Sequence, residues 1–407
     1  MGTYPTGVKY RGINRAGFEY GDDWDGWEGP SDFNIPTAAA LATELAFYAT
    51  KGFNIIRLPI SWERMQHNLG GSFDEEYKQQ VLAFVNQANV VGWIVIIDLH
   101  NYCRYALNAF DDKGNQTNPP VYQRKVLGQP ELTTGHLIDI WTKLATLFLG
   151  NPRVIFNLMN EPHDLPIVTD DWFKSIQAVI NAIRATGATQ LVLVPNSRGS
   201  DVTHWDEYAP GPSGGSKDSE AARTITDSVN NYAFDMHAYD MKDWPGSYRD
   251  QLVVVTEWAK KYGKRLFLSE MGIGNDVPPE IAAPALGDVL TYLNDNADVW
   301  MGWTAWNLSP YNLTPDNDYT ADGPQMAWYA PYLTPNILTA PSGVEPKTSN
   351  LKDLFQGQYG HTAYIALGKD WSISGRVGGA FDDYLLFQTD KQLYIPYDKI
   401  VTVYFEE

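Results

Sequence analysis

The stretch Val154-Ile155-Phe156-Asn157-Leu158-Met159 runs directly into Asn160-Glu161-Pro162. An apolar run this short reads as a strand buried on both faces, as in a parallel sheet covered by helices. A lone carboxylate in an apolar layer is costly, so a buried strand that finishes on one must use it or neutralise it. A second run, Leu266-Phe267-Leu268-Ser269, leads to Glu270 in the same way. Two strands that each deliver an acid suggest a pair converging at one rim of a sheet.

Outward from these two, similar runs recur, giving strands at 8–14, 54–60, 93–100, 153–161, 190–196, 232–239, 265–271 and 300–307. Between them lie amphipathic stretches at 37–51, 74–91, 137–149, 172–186, 257–262 and 279–294. Gly52, Gly92, Gly150, Gly187 and Gly263 close the first five as helix stops. Eight strand–helix alternations without hairpin signals predict an α/β fold, a (β/α)8 TIM barrel. A doubly wound open sheet is the alternative, and the count of eight favours the barrel. Barrels carry their functional groups at the C-terminal ends of strands. Asn14, Arg57, His100, Asn160, Glu161, His237, Tyr239, Glu270 and Trp306 all fall at or near such ends.

After Pro310 the pattern changes. Residues 310–346 are rich in Pro, Tyr, Asn and Asp, and read as a long loop after strand eight followed by a linker. From Lys347 the chain becomes β-like, with strand candidates at 364–367, 384–387 and 400–405 and turns at 368–370, 378–379 and 389–391. The expected organisation is a catalytic barrel over 1–340 and a small C-terminal all-β domain over 347–407. For the latter, carbohydrate binding and a packing or oligomerisation role both stand open.

Of the 407 residues, 44% are hydrophobic, enough for a sizeable core. The 30 basic and 49 acidic residues give a net charge of −19, which argues against nucleic acid and anionic membrane as partners. Cys103 is the only cysteine, so no intrachain disulfide forms and a cysteine-based metal site is not expected. No apolar run reaches the roughly 18 residues of a membrane span. Met1-Gly2-Thr3-Tyr4-Pro5 lacks the basic and apolar regions of a leader. The expectation is an extracellular protein presented without its leader, with a cytoplasmic address as the alternative.

Paired carboxylates at a barrel rim are the equipment of glycoside hydrolysis, one acid protonating the leaving oxygen while the other attacks carbon or activates water. The protonated acid is expected to owe its state to burial and a nearby negative charge. Asn160 offers an amide to a substrate 2-hydroxyl. Arg57, inside Ile55-Ile56-Arg57-Leu58-Pro59, demands a buried carboxylate partner, and Glu270 is the natural one. A structural ion pair inside the barrel is the competing reading of Arg57. His100 and His237 end strands in Asp98-Leu99-His100 and Asp235-Met236-His237. Each alone reads as a satisfied core or rim group; a zinc site with a carboxylate ranks low, there being no His-x-x-x-His pairing. Tyr239 has a phenol to donate to the nucleophile, and Trp306 offers either a platform for a sugar ring or ordinary barrel packing. Trp24 and Trp27 sit in an acidic aromatic loop after strand one, available to stack a further sugar or to pack on the rim. His136, His163, His204 and His361 read as non-catalytic, with His163 at the rim.

Four stretches carry a resemblance. They are residues 51–64 (KGFNIIRLPISWER), 100–105 (HNYCRY), 158–164 (LMNEPHD) and 299–306 (VWMGWTAW). Together they resemble glycoside hydrolase family 5, in its endoglucanase (cellulase) branch, over about the first 310 residues. The resemblance implies Glu161 as acid/base and Glu270 as nucleophile, with Arg57 and Tyr239 supporting Glu270. It implies Asn160 on the 2-hydroxyl, His100 and His237 in the catalytic subsite, and Trp306 under the sugar. Asn101 is counted with the substrate-binding or supporting residues. The implied reaction is double displacement through a glycosyl-enzyme, with no metal or organic cofactor. Two departures bear on the substrate: Asn307-Leu308-Ser309-Pro310 follows Trp306 where Ala-Ala-Gly-Pro is usual, and Cys103 stands where glycine is common. The expected activity is a retaining endo-β-1,4-glucanase acting on cellulose or soluble β-glucan, polymer or oligosaccharide, as a monomer. Alternatives are the same chemistry on mannan, xyloglucan or mixed-linkage glucan, and a non-catalytic carbohydrate-binding barrel.

Overall fold

Eight short strands, β1 (Tyr10–Asn14), β2 (Ile55–Ile60), β3 (Ile94–Leu99), β4 (Val154–Asn157), β5 (Val192–Pro195), β6 (Tyr232–Tyr239), β7 (Leu266–Gly272) and β8 (Trp300–Ala305), close into a barrel. Every neighbour pair is parallel, and β1 seals the ring by pairing with both β2 and β8. The computed structural model describes residues 7–19, 38–90, 92–111, 114, 117, 123–209, 214–240, 246–274, 277–306, 322–323, 325–333, 362–366, 372–380, 384–388, 392–396 and 402–405.

Six longer helices follow the strands: α1 (Ala38–Lys51), α2 (Glu75–Val90), α3 (Thr134–Leu147), α4 (Thr169–Ala185), α5 (Val253–Tyr262) and α6 (Pro279–Asp295). In α4 the buried residues Trp172, Phe173, Ile176, Val179, Ile180 and Ile183 recur at helical spacing, so one stripe faces the barrel. The five glycines read as helix stops all take positive φ. Gly263, at φ 61° and ψ 39°, is the left-handed cap of α5. Gly12 answers a different need, because a Cβ there would lie 2.1 Å from the Ile55 carbonyl oxygen across the β1–β2 pair.

The structure departs from expectation in several places. The strand read as 153–161 ends at Asn157, because the Asn160 amide turns to the Leu99 carbonyl at 2.8 Å and Pro162 has no donor. Glu161 therefore sits in the loop beyond the strand. Among the described residues, the interval between β5 and β6 holds a short helix at Asp218–Ala221 and brief 3-10 turns. The segment after β3 contains an antiparallel pair, Arg104–Ala106 with Arg124–Val126, which no turn signal announced. Part of the stretch read as loop is helical at Met326–Tyr329, and buried Tyr329 stacks on Trp303 with ring centroids 5.5 Å apart.

The chain forms two compact units, Met1–Pro335 and Asn336–Glu407. Within the second, β9 (Thr362–Ala366), β10 (Ser372–Ala380), β11 (Tyr384–Gln388), β12 (Gln392–Pro396) and β13 (Thr402–Phe405) make one antiparallel sheet ordered β12-β11-β10-β9-β13. Gly378-Gly379, read as a turn, lies inside β10 at a register shift, since glycine accommodates the kink of a bulge.

Candidate active site

Arg57 is the hub of the barrel's C-terminal end. It projects from β2 and is fully buried. Its Nη1 donates to Glu270 Oε1 at 2.6 Å and to Asn14 Oδ1 at 2.9 Å. Its Nε donates to Asn157 Oδ1 at 2.9 Å, and its Nη2 to Asn160 Oδ1 at 2.8 Å. Nη2 also lies 2.9 Å from Asp98 Oδ1. The planar fork of the guanidinium fits this ring of acceptors from β1, β3, β4 and β7. Burial works against its charge, but Asp98, Glu270 and Asp235 outweigh that and push its pKa up.

Glu270 projects from β7, and its Oε2 accepts from the Tyr239 hydroxyl of β6 at 2.6 Å. Burial and the charge of Glu270 push the Tyr239 phenol well up, so it stays a donor. Glu161 approaches from the loop after β4 with φ 37°, a left-handed conformation that costs a non-glycine residue energy and recurs at functional sites. His237 stands between the two acids, with Nδ1 2.8 Å from Glu161 Oε1 and 3.4 Å from Glu270 Oε2. One ligand-capable atom from each of Glu161, His237 and Glu270 falls within 4.8 Å of the others.

The electrostatics correct one expectation. Burial does raise the Glu161 carboxyl, but the hydrogen bond and charge of His237 outweigh it and hold Glu161 below the usual range. Burial likewise disfavours the imidazolium, yet Glu270, Glu161 and Asp235 push His237 up to about 9. In the free site the proton expected on the acid therefore rests on its histidine. The same charges argue against a resident metal at this trio. A cation would have to displace the Nδ1 proton and tolerate the Arg57 guanidinium 2.6 Å from Glu270.

On the opposite wall, His100 Nδ1 lies 2.7 Å from Asp98 Oδ2. Burial lowers its pKa, but Asp98 more than compensates and the net shift is upward. Asn160 Nδ2 is 3.3 Å from His100 Nε2, so Asn160 joins Arg57 to this wall. The Trp306 indole lies parallel to the His100 ring at 5.6 Å, at the barrel mouth. Asn101 faces away from the acids. Its Oδ1 accepts from the Trp62 amide at 2.7 Å and its Nδ2 donates to buried Glu63 at 2.6 Å, so it braces the loop. Trp24, Trp27 and His361 lie outside the described residues. His163 sits at the rim with Nδ1 2.9 Å from the Glu161 carbonyl. A cavity of about 480 Å³ opens beside Glu161, lined by His163, Arg198, Asp201, His237 and Tyr239 among others.

Sequence reasoning missed Asp98, Asn157, Asp235, Ser269, whose Oγ lies 2.9 Å from His237 Nε2, and Tyr102, whose hydroxyl lies 3.3 Å from His100 Nε2, as members of this network. Asp235 and His237 lie two apart on β6, and Asp98 lies two before His100 at the end of β3, a spacing that turns both side chains of a pair to the same face, so the Asp-x-His spacing was the available signal. Glu19, after β1, was missed too; burial pushes it up to about 7 against the opposing charge of His100. Cys103 takes φ 60°, the left-handed backbone that makes glycine common at such a position.

Comparison with known proteins bears directly on this arrangement. Residues 13–309 match the family model of Cellulase (glycosyl hydrolase family 5). The manganese dependent endoglucanase Eg5A of Phanerodontia chrysosporium is 30% identical over 354 residues, 82% of each chain. Endoglucanase EG-II of Hypocrea jecorina is 28% identical over 343 residues, 79% of this chain and 75% of that one. Among solved structures, XacCel5A in complex with cellopentaose superposes with a TM-score of 0.67 at 31% identity, covering 80% of this chain and 99% of that one. The endo-β-1,4-glucanase Xac0029 from Xanthomonas axonopodis pv. citri gives a TM-score of 0.66 at 32% identity, covering 80% and 98%. A closed eight-stranded barrel, two acids bridged by a histidine over a buried arginine, and a family match across most of the barrel agree: the chain belongs to the cellulase family, glycosyl hydrolase family 5.

Proposed function

We propose that the protein is a retaining endo-β-1,4-glucanase that hydrolyses cellulose or soluble β-glucan by double displacement. The observation that carries this reading is the approach of Glu161 and Glu270, whose nearest oxygens lie within 4.8 Å. Retention needs carboxyl groups about 5–5.5 Å apart, whereas inversion needs about 6.5–9.5 Å to admit a water. Glu270, oriented by Arg57 and Tyr239, attacks the anomeric carbon. Glu161 gives a proton to the leaving oxygen, then takes one from water as the glycosyl-enzyme is cleaved. Before the first step Glu161 receives its proton from His237 Nδ1, 2.8 Å away. Asn160, held by Arg57, presents its amide toward the 2-hydroxyl, and Trp306 with His100 forms the wall beside the sugar. Endoglucanase relatives and a neighbour solved with cellopentaose support a β-glucan substrate.

The protein acts outside the cell as a monomer on a neutral polymer, in keeping with its net charge of −19. No helix among the described residues is long and apolar enough to cross a membrane. The C-terminal unit is a small all-β accessory domain. Truncation after Pro346, followed by binding to insoluble cellulose, separates carbohydrate binding from packing as its role. The test of the whole reading is reducing-end release from carboxymethylcellulose against mannan, with the product anomer followed by NMR. The β-anomer should appear first from the glucan. Initial α-anomer would end the retaining mechanism, and inactivity on every β-glycan would end the enzymatic reading.

A further inference from the structure

Beneath His237 lies a buried acid that the reaction above leaves unused. Asp235, on β6, is fully buried. Its Oδ2 accepts from Asn157 Nδ2 at 3.0 Å and Ser200 Oγ at 3.3 Å, and lies 3.7 Å from His237 Nε2. Among the described residues its Oδ1 has no hydrogen-bond partner. A buried carboxylate oxygen left without a donor is costly and calls for a reason. Ser269 Oγ, on β7, is 2.9 Å from His237 Nε2, and its hydroxyl hydrogen also acts on Asp235. The imidazole is therefore gripped at both nitrogens, by Glu161 at Nδ1 and by Ser269 with Asp235 at Nε2.

We propose that Asp235, acting through Ser269, is a positioning residue that keeps a proton stored on His237 for delivery to Glu161. The relay is balanced. The proton passes from His237 Nδ1 to Glu161 when sugar enters, leaving a neutral ring whose Nε2–H still donates to Ser269. Glu161 passes the proton to the leaving oxygen. It recovers one from water in the second step and returns it to Nδ1. Asp235 stabilises the charged ring at the start and end of this cycle without touching substrate.

The other wall shows why the two Asp-x-His pairs differ. Asp98 is committed to Arg57 at 2.9 Å and to His100 at 2.7 Å. Among the described residues Asp235 makes no ion pair with an arginine; its charge reaches Arg57 only from a distance, while His237 lies 3.7 Å away. The other groups facing His237 are Glu161 and Glu270 at Nδ1, Ser200, whose carbonyl accepts the His237 amide at 2.8 Å, and Asp201, whose carboxylate is turned to Thr203. Three carboxylates around one imidazole are consistent with its raised pKa of about 9. Removing one of them must let the shared proton go at lower pH.

The inference rests on the glucanase reading, and the test separates the two. The full-length chain and its Asp235→Asn and Ser269→Ala variants are assayed on carboxymethylcellulose from pH 5 to 9. In parallel the His237 ring is titrated by NMR without substrate. For Asp235→Asn the alkaline limb of kcat/KM should move down by about one unit from the parent's pKa of about 9, so that the ratio of activity at pH 9 to that at pH 5 drops about fivefold. Ser269→Ala should move the limb the same way by less, and it serves if Asp235→Asn does not fold. The ring titration should shift in step. Variants whose profiles and ring titration overlay those of the parent, whatever their absolute rates, overturn the storage role. An inactive parent with a shifted ring titration would instead count against the glucanase reading while leaving the electrostatic claim standing.

Discussion

The two ends of the barrel interior are built from the same strands and do opposite things. At the N-terminal end, Tyr10, Ile55, Ile96, Ile155, Leu193, Ala233 and Phe267 form a sealed apolar cluster. Two residues further along several of these strands come Arg57, Asp98, Asn157, Asp235 and Ser269, all buried and polar. Side chains at i and i+2 share a face, so both sets point inward and only the layer differs. The lower layer excludes water and holds the ring closed. The upper layer keeps charges in place because that closed ring fixes the donors and acceptors around them. Stability is concentrated below and chemistry above, an axial distance of two residues apart.

Substitutions in each layer test this division, starting with the largest expected effect. Glu270→Gln should lower turnover on soluble β-glucan roughly 10,000-fold or more, about 5.5 kcal/mol, while oligosaccharide binding survives. Retention of a tenth of the parent rate would remove Glu270 from the role of nucleophile. Phe267→Ala, in the apolar layer, should cost about 3–5 kcal/mol in urea unfolding yet leave kcat per folded molecule unchanged. If it instead impaired turnover with no loss of stability, the layers would not be separable. Tyr239→Phe removes one charge-assisted hydrogen bond to Glu270 and should lower kcat/KM by about 10–100-fold, with little change in melting temperature.

A further effect is on stability against pH. His237 has its folded pKa raised, from 6.5 to about 9. The stability it contributes is therefore complete below pH 6.5 and lost as pH rises through about 9. Thermal melts at pH 6, 7.5 and 9 should show a fall that His237→Asn reduces. An equal fall in the variant would mean that another group governs the alkaline side.

Much of this was legible in the chain because burial writes itself as pattern. Short apolar runs gave the eight strands, and Arg57, Glu161 and Glu270 stood out as charges where charges are expensive. The pairings of Arg57 and Tyr239 with Glu270 were foreseeable from the few partners a buried charge accepts. Asn101 was counted among substrate-binding or supporting residues, and its side chain bonds the Trp62 amide and Glu63; adjacency to His100 could not give that direction at a turn where Tyr102 and Cys103 take positive φ. Asp98 and Asp235 were overlooked because an acid before a strand-end histidine looks like solvent-facing polarity until the strand is placed in a barrel.

By itself, the order of residues determined the alternating architecture, the family, and the two acids most suited to cleave a sugar linkage. The architecture follows from local periodicity and the two acids from the cost of burying charge, both of which act along the chain, while the family rests on the resemblance carried by four motif stretches. Only the closed tertiary structure decided where the proton rests. That depends on three carboxylates and an arginine brought from β2, the loop after β4, β6 and β7 around one imidazole, and electrostatic energy depends on distance in space, which sequence separation does not encode.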